Sequence, residues 1–208
     1  MVAPAAGRGN PARSPGLNGP LLVSVQLAAV EAVPAPPDTL SCPSCGSRRL
    51  LFHQRLWRAL KDPDLRRVLV LRYQCKRCGR VRRVYPVGVG PGRLSAAVGQ
   101  IVAVLGCAGL SYQNVATVLR RLGTPVALWS VARIVAQQGA RPPHGPRLRL
   151  SPDADGWLRG RDGAVRFGLR RRPDGTRWLE AEVAPGPNAF DLRDRLARCF
   201  DETPPETA

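Results

Sequence analysis

Four cysteines in two CxxC pairs carry the plainest chemistry in this chain: Cys42 with Cys45 in "CPSCGSRRL", and Cys75 with Cys78 in "CKRCGR". Two thiolates at i and i+3 can grip one tetrahedral ion from a tight turn. The glycine after each pair, Gly46 and Gly79, frees the backbone to turn so that its amides point at the sulfurs. Two such knuckles complete a four-sulfur site for a structural zinc ion. Paired disulfides would need an oxidising compartment, and a redox pair would need only one CxxC. The duplicated spacing favours metal. Such a site says little about function on its own. Cys107 and Cys199 stand singly on apolar helix faces and read as plain core residues.

The knuckles need a frame. Residues 46–74 are longer than a minimal zinc finger requires, with room for a β-hairpin and a loop, as in a zinc ribbon. "VLVLRYQC", Val68 to Cys75, and "VRRVYPV", Val81 to Val87, are rich in β-formers and bracket the second knuckle. They predict two strands of a hairpin.

Three helices are predicted next. Val98, Ile101, Val102 and Leu105 recur at i, i+3, i+4 and i+7, one helical face, with Ser95 as its cap. Ser111 opens a second helix carrying Val115, Val118, Leu119 and Leu122, which Gly123 ends. Leu128, Val131, Ile134 and Val135 form the apolar face of a third, stopped by Gly139 and Pro142–Pro143. A tight glycine-containing turn between the second and third describes a helix-turn-helix. In that motif the last helix enters the major groove. At about 100° per residue, Trp129, Arg133 and Gln137 line the side away from the apolar residues, with Ser130 nearby. Arginine, glutamine and serine are groove-reading types. An ordinary helical bundle with a wet polar face would show the same periodicity.

Charge separates the two. The chain has 208 residues and a net charge of +17, and only Lys61 and Lys76 are lysines. From Leu65 to Pro152 there is no aspartate or glutamate, while fifteen arginines and lysines fall there. This excess argues for an anionic partner, most commonly nucleic acid. Arg82 and Arg83, on the ribbon's second expected strand, suit phosphate contacts. The apolar run "LLVSVQLAAV" is too short to cross a membrane and Gln26 interrupts it. Arg8 and Arg13 precede it as in a signal peptide, but the broken apolar core and the paired cysteines argue otherwise. Residues 1–38 are expected to be a disordered Pro/Ala/Gly-rich tail.

After residue 150 the pattern changes. "GWLRG", "AVRFGLR" and "TRWLEAEV" predict three short strands, turned by "RDG" and "RPDGT". "NAFDLRDRLARCF" predicts an amphipathic helix with Phe190, Leu192, Leu196, Cys199 and Phe200 on its apolar side. A polar "DETPPETA" follows.

The order of these parts is similar to that of insertion-sequence transposases that carry a zinc ribbon and an RNase H-like DDE domain. "CPSCG…LRYQCKRCGRVRRVYPVG", then "LSYQNVATVLRRLGTPVALWSVARIV", then "DADGWLRG" carry the resemblance, over about residues 40–200. It implies an α+β multidomain chain: a tail over 1–38, a zinc β-ribbon over 39–90, a three-helix helix-turn-helix over 91–140, a partial RNase H-like β-β-β-α segment over 141–200 and a tail over 201–208. It also implies a first catalytic aspartate on the first strand of that segment, a position that falls on Asp153 or Asp155. The second family carboxylate would follow the first helix, where this sequence stops. Two-metal phosphoryl chemistry with Mg or Mn needs carboxylates that hold both ions about 4 Å apart. Asp153 and Asp155 are therefore vestigial candidates, and Glu180 and Glu182 read as ordinary strand charge.

The expectation is a zinc-stabilised, double-stranded-DNA-binding protein of transposase descent that does not cut DNA alone. It would be cytoplasmic and nucleoid-associated, without membrane contact, and a homo-oligomer remains open. The alternatives are a piece of a split transposase, active with Mg or Mn in a complete assembly, and a protein-binding zinc-ribbon adaptor. An adaptor has no use for so long an acid-free stretch.

Overall fold

The computed structural model describes residues 19–35, 40–137 and 145–201. Most of the expected tails, and the expected stop of the third helix at Gly139 and Pro142–Pro143, lie outside them. The architecture is α+β, with two antiparallel sheets and four helices. In chain order come β1 (Leu21–Gln26), β2 (Leu50–Ala59), β3 (Arg67–Cys75), β4 (Val81–Val84), α1 (Ala96–Cys107), α2 (Tyr112–Arg121) and α3 (Leu128–Gln137). They are followed by β5 (Leu150–Pro152), β6 (Leu158–Gly160), β7 (Gly163–Arg171), β8 (Arg177–Val183) and α4 (Ala189–Asp201).

The smaller sheet has the order β2-β3-β4. Its strands β3 and β4 lie where β-propensity placed a hairpin. The long β2 extends the sheet, and the sequence marks it only weakly because polar residues interrupt it. A register shift between Phe52 and Gln54 inserts His53 as a bulge opposite β3.

Helices α1 and α2 start at the expected caps. Ser95 accepts from the Val98 amide and Ser111 from the Asn114 amide. Gly123 follows α2 at φ +78°. On α3, Val131 and Ile134 are buried as expected, but Leu128 is 47% exposed. It occupies the first helical position, where no preceding turn covers it.

The larger sheet has the order β1-β8-β7-β6-β5. The meander is longer than expected, since β5 adds a hairpin partner for β6. More telling is β1, which falls inside the segment expected to be a tail. It pairs antiparallel with β8 from Leu21↔Val183 to Gln26↔Trp178. Its residues alternate: Leu21, Val23 and Val25 turn inward, while Leu22, Ser24 and Gln26 are exposed. The expectation failed because such a strand has no local partner; only β8, far along the chain, gives its inward face something to bury against.

One face of this sheet packs on α4, where Leu192, Leu196, Cys199 and Phe200 are buried. The other face is polar. There Arg166 pairs with Glu182 at 2.5 Å and Arg170 with Glu180 at 3.4 Å across β7 and β8. Glu180 and Glu182 thus carry cross-strand ion pairs. Sheets with one face covered and one wet alternate in this way.

A single hydrophobic core runs through α1, α2, α3, the larger sheet and α4. The expected boundary between a helical domain ending at 140 and a segment starting at 141 therefore does not divide the core. Asn114 on α2 donates to the Leu150 carbonyl of β5 at 2.8 Å. Gln100 on α1 accepts from the Ala28 amide and donates to the Gln26 carbonyl, fastening the end of β1.

The smaller sheet joins this body at a polar hub. Asp62, fully buried, accepts from the amides of Asp64 and Leu65, from the Ser95 hydroxyl at 2.6 Å and from the Arg177 guanidinium at 2.8 Å. Arg177 also donates to the Ala28 carbonyl. One carboxylate thus ties the β2–β3 loop to the start of α1, to β8 and, through Arg177, to the segment after β1.

Candidate functional site

The four cysteines of the CxxC pairs come together. Their sulfurs all lie within 4.8 Å of one another, with Cys42 to Cys78 at 3.5 Å and Cys45 to Cys75 at 3.6 Å. Among the described residues this is the one group of three or more metal-ligating side chains. The two knuckles are built alike. Cys42 N–H donates to Ser47 O and Gly46 N–H to Cys42 O; Cys75 N–H donates to Arg80 O and Gly79 N–H to Cys75 O, all at 2.9 Å. Gly46 and Gly79 sit at φ +68° and +73°, a conformation side chains resist, so each knuckle needs its glycine. Lys76 N–H donates to Arg49 O, and Arg77 N–H points at Cys75 Sγ at 3.4 Å.

The surroundings polarise the sulfurs. The Ser44 amide holds the Cys42 thiol down at about 6 against the opposing effect of burial. The Cys78 amide likewise lowers Cys75. At Cys45 the Ser47 amide pulls down, but burial and the neighbouring thiols together push it up to about 11. Sulfurs this close resist becoming thiolates together, and a divalent cation removes that resistance. The donor set and its spacing fit a metal ion such as zinc.

The residues expected to read DNA lie on one face of α3. Trp129 is 65% exposed, Arg133 and Gln137 are exposed, and Ser130 is half-buried. The Arg133 guanidinium stacks over the Trp129 ring at 5.2 Å, which presents the two as one unit. The turn between α2 and α3 spans residues 122–127 and is braced from the smaller sheet. Arg66 donates to the Gly123 carbonyl and Lys61 Nζ to the Pro125 carbonyl, both at 3.0 Å. By composition alone these cations count as phosphate binders, yet they bind backbone.

Arg82 and Arg83 lie on β4. Arg82 is half-buried and donates to the Ser41 carbonyl at 2.5 Å, beside the first knuckle. Arg83 is exposed. Only the second presents a free surface to phosphate.

Asp153 and Asp155 do not lie on a strand. They occupy the turn joining β5 to β6. Asp153 Oδ1 accepts from the Trp157 amide at 2.8 Å and Oδ2 from Arg159 Nε at 2.6 Å. The Arg159 hydrogen bond, with the Trp157 amide, holds the carboxyl below its ordinary value. The side chain closes a turn, which is why the strand ends at Pro152. No second carboxylate joins either aspartate in a metal-ligating group among the described residues. Cys107 and Cys199 are buried, as expected of core residues.

Sequence reading missed Asp62, Arg177, Gln100 and Asn114, polar side chains that join elements. "DPDL" at Asp62 is a turn signal, but its burial depends on Arg177, far along the chain. No helix among the described residues is long and apolar enough to cross a membrane. Comparison of the chain with family models, curated proteins and solved structures returns no match.

Proposed function

We propose that the chain is a zinc-stabilised DNA-binding protein related to the front half of insertion-sequence transposases, reading double-stranded DNA with α3. The observation that carries this reading is the outward face of α3: Trp129, Arg133 and Gln137 exposed together on a helix whose opposite side is buried in the core. The absence of acids from Leu65 to Pro152 supports it, since nothing in that stretch repels a phosphate backbone. The ion in the four-cysteine site is zinc on this reading, because soft thiolates in a four-sulfur set select it. The ribbon is a brace, and its loop positions the turn that precedes α3.

Phosphate contacts release counterions, so affinity for duplex DNA falls with salt by a log–log slope of about −0.9 per neutralised phosphate. Arg133→Ala costs on the order of 1–3 kcal/mol on the preferred site and little on random duplex. Arg83→Ala weakens both alike. Selection of a preferred site followed by titration of the variants checks this. Equal losses on both duplexes for Arg133→Ala would remove α3 as the reading helix.

A DNA-cutting role lacks support in the geometry. Two-metal phosphoryl transfer needs clustered carboxylates, and Asp153 spends its oxygens on Trp157 and Arg159. With Mg or Mn the protein binds supercoiled plasmid without nicking it. Nicking that vanishes in Asp155→Asn would instead favour the split-transposase reading.

A further inference from the structure

The smaller sheet has a second feature that the α3 reading leaves unused. Pairing registers set which side chains share its open face. Phe52 is opposite Tyr73, Trp57 opposite Leu69, and Arg82 also opposite Tyr73. Positions 73 and 69 of β3 are an even number apart and share a face. Phe52 and Trp57 are five apart on β2 and would ordinarily face opposite ways. The bulge at His53 cancels the odd residue and brings both to one side. Phe52 then meets Tyr73 edge to face at 5.7 Å, and the Arg67 guanidinium lies over the Trp57 ring at 5.8 Å. Phe52 is 53% exposed and Trp57 52% exposed.

Two half-exposed aromatic rings grouped on one face, each backed by a stacked partner, offer a contact surface. Their charge setting decides what they suit. Strands β2, β3 and β4 contain six arginines and no acid. The nearest acids along the chain, Asp62 and Asp64, lie in the β2–β3 loop and pair with Arg177 and Arg171. An apolar protein partner would have to desolvate Arg55 and Arg67, which flank Trp57 on this face, without compensation. A nucleic acid strand meets both demands, since every base has a π-face and every linkage carries a negative charge. The two rings are separated by four residue steps of β3, about 13 Å. That exceeds a single base step of about 3.4 Å, so they would take two separate bases of one strand. Bases paired within a duplex are not available to stack on rings this far apart.

We propose that the Phe52–Tyr73 and Trp57–Arg67 platforms on the open face of the β2-β3-β4 sheet form a binding site for single-stranded nucleic acid. The site is independent of the duplex-reading face on α3. Stacking on the two rings supplies sequence-tolerant affinity, and Arg55 and Arg67 follow the backbone.

The test uses the full metal-loaded chain and a dye-labelled twelve-nucleotide oligo-dT read by fluorescence anisotropy. Trp57→Ala and Phe52→Ala each weaken binding about tenfold. Trp57→Tyr, which keeps a ring, recovers most of the loss. Neither alanine variant changes affinity for duplex DNA, whereas Arg133→Ala changes duplex binding and leaves oligo-dT binding intact. Metal content and thermal midpoint, measured on each variant, separate a lost platform from a lost fold. Oligo-dT binding that is absent, or equal in Trp57→Ala and the parent, overturns the proposal. So does a shift in oligomeric state for these variants with oligo-dT binding unchanged, which would mark the face as a protein interface.

Discussion

Stripping the metal from the four-cysteine site loosens the β2-β3-β4 sheet and leaves the helical core folded. The smaller sheet buries its apolar side chains at one end only: Leu60, Val68, Leu69, Val70 and Val89 are buried there, with Val30, Leu65 and Tyr85 packed beside them. Each of these buried side chains contributes about 1.5–3 kcal/mol at most, and all of them sit near the hub rather than near the cysteines. A structural zinc in a small module contributes an apparent binding energy of about 10–16 kcal/mol at neutral pH. In the outer half of the sheet only Cys42 and Cys75 are buried, so a bound metal would dominate there, while the hub at Asp62 keeps the base attached. Elemental analysis is expected to find one zinc per chain. Hydrogen exchange after chelation is expected to accelerate at β2, β3 and β4 and to change little in α1 or β8. Cys75→Ser, which removes a buried ligand, should have the same effect without chelator. Unchanged exchange in β3 after complete metal removal, or a protein purified without zinc, would show that the four sulfurs are held together by something else.

The largest effect expected from a single substitution away from the metal is at Asp62. This carboxylate has no exposure, and its partner Arg177 has a side chain only 10% exposed. Removing one member of a buried pair leaves the other charged and uncompensated, at a cost of about 3–5 kcal/mol. Asp62→Ala also strands the Ser95 hydroxyl that caps α1 and the amides of the β2–β3 loop. In a chain of this size each kcal/mol lowers the thermal midpoint by about 2–4 °C, so a drop of roughly 10 °C is expected. The double variant Asp62→Ala with Arg177→Leu is expected to lose less than the sum of the single losses, since it removes both charges. Additive losses would mean that Arg177 finds its stabilisation elsewhere, for instance at Asp64, 3.3 Å away.

What sequence could show here follows the range of the interactions involved. The CxxC pairs, the caps at Ser95 and Ser111 and the apolar stripes of α1 and α2 depend on neighbours within a turn or two, and they lie where their spacing put them. The ligand pairs meet because each knuckle is a local turn, though their mutual distance needed the sheet. Strand β1 was illegible for the opposite reason. "LLVSVQ" alternates correctly, but a strand without a visible partner next to a Pro/Gly/Ala-rich stretch reads as tail. Asp153 looked chemical because an aspartate near a strand start can hold a metal; its bonds to Trp157 and Arg159 depend on a hairpin that only β5 completes. Lys61 and Arg66 added to the apparent DNA-binding charge, although both spend their donors on the turn before α3.

The pairing of β1 with β8 also sets a timetable. On a ribosome adding about 5–20 residues per second, Val183 is made roughly ten to thirty seconds after its partner Leu21. Throughout that interval β1 has apolar residues without a surface to cover and a row of backbone donors and acceptors bonded only to water, open to pairing with another strand. The smaller sheet and the three helices are both synthesised within that interval. Strand β1 is thus made well before its partner, and the nascent chain must keep it from pairing with a neighbouring polypeptide until β8 arrives.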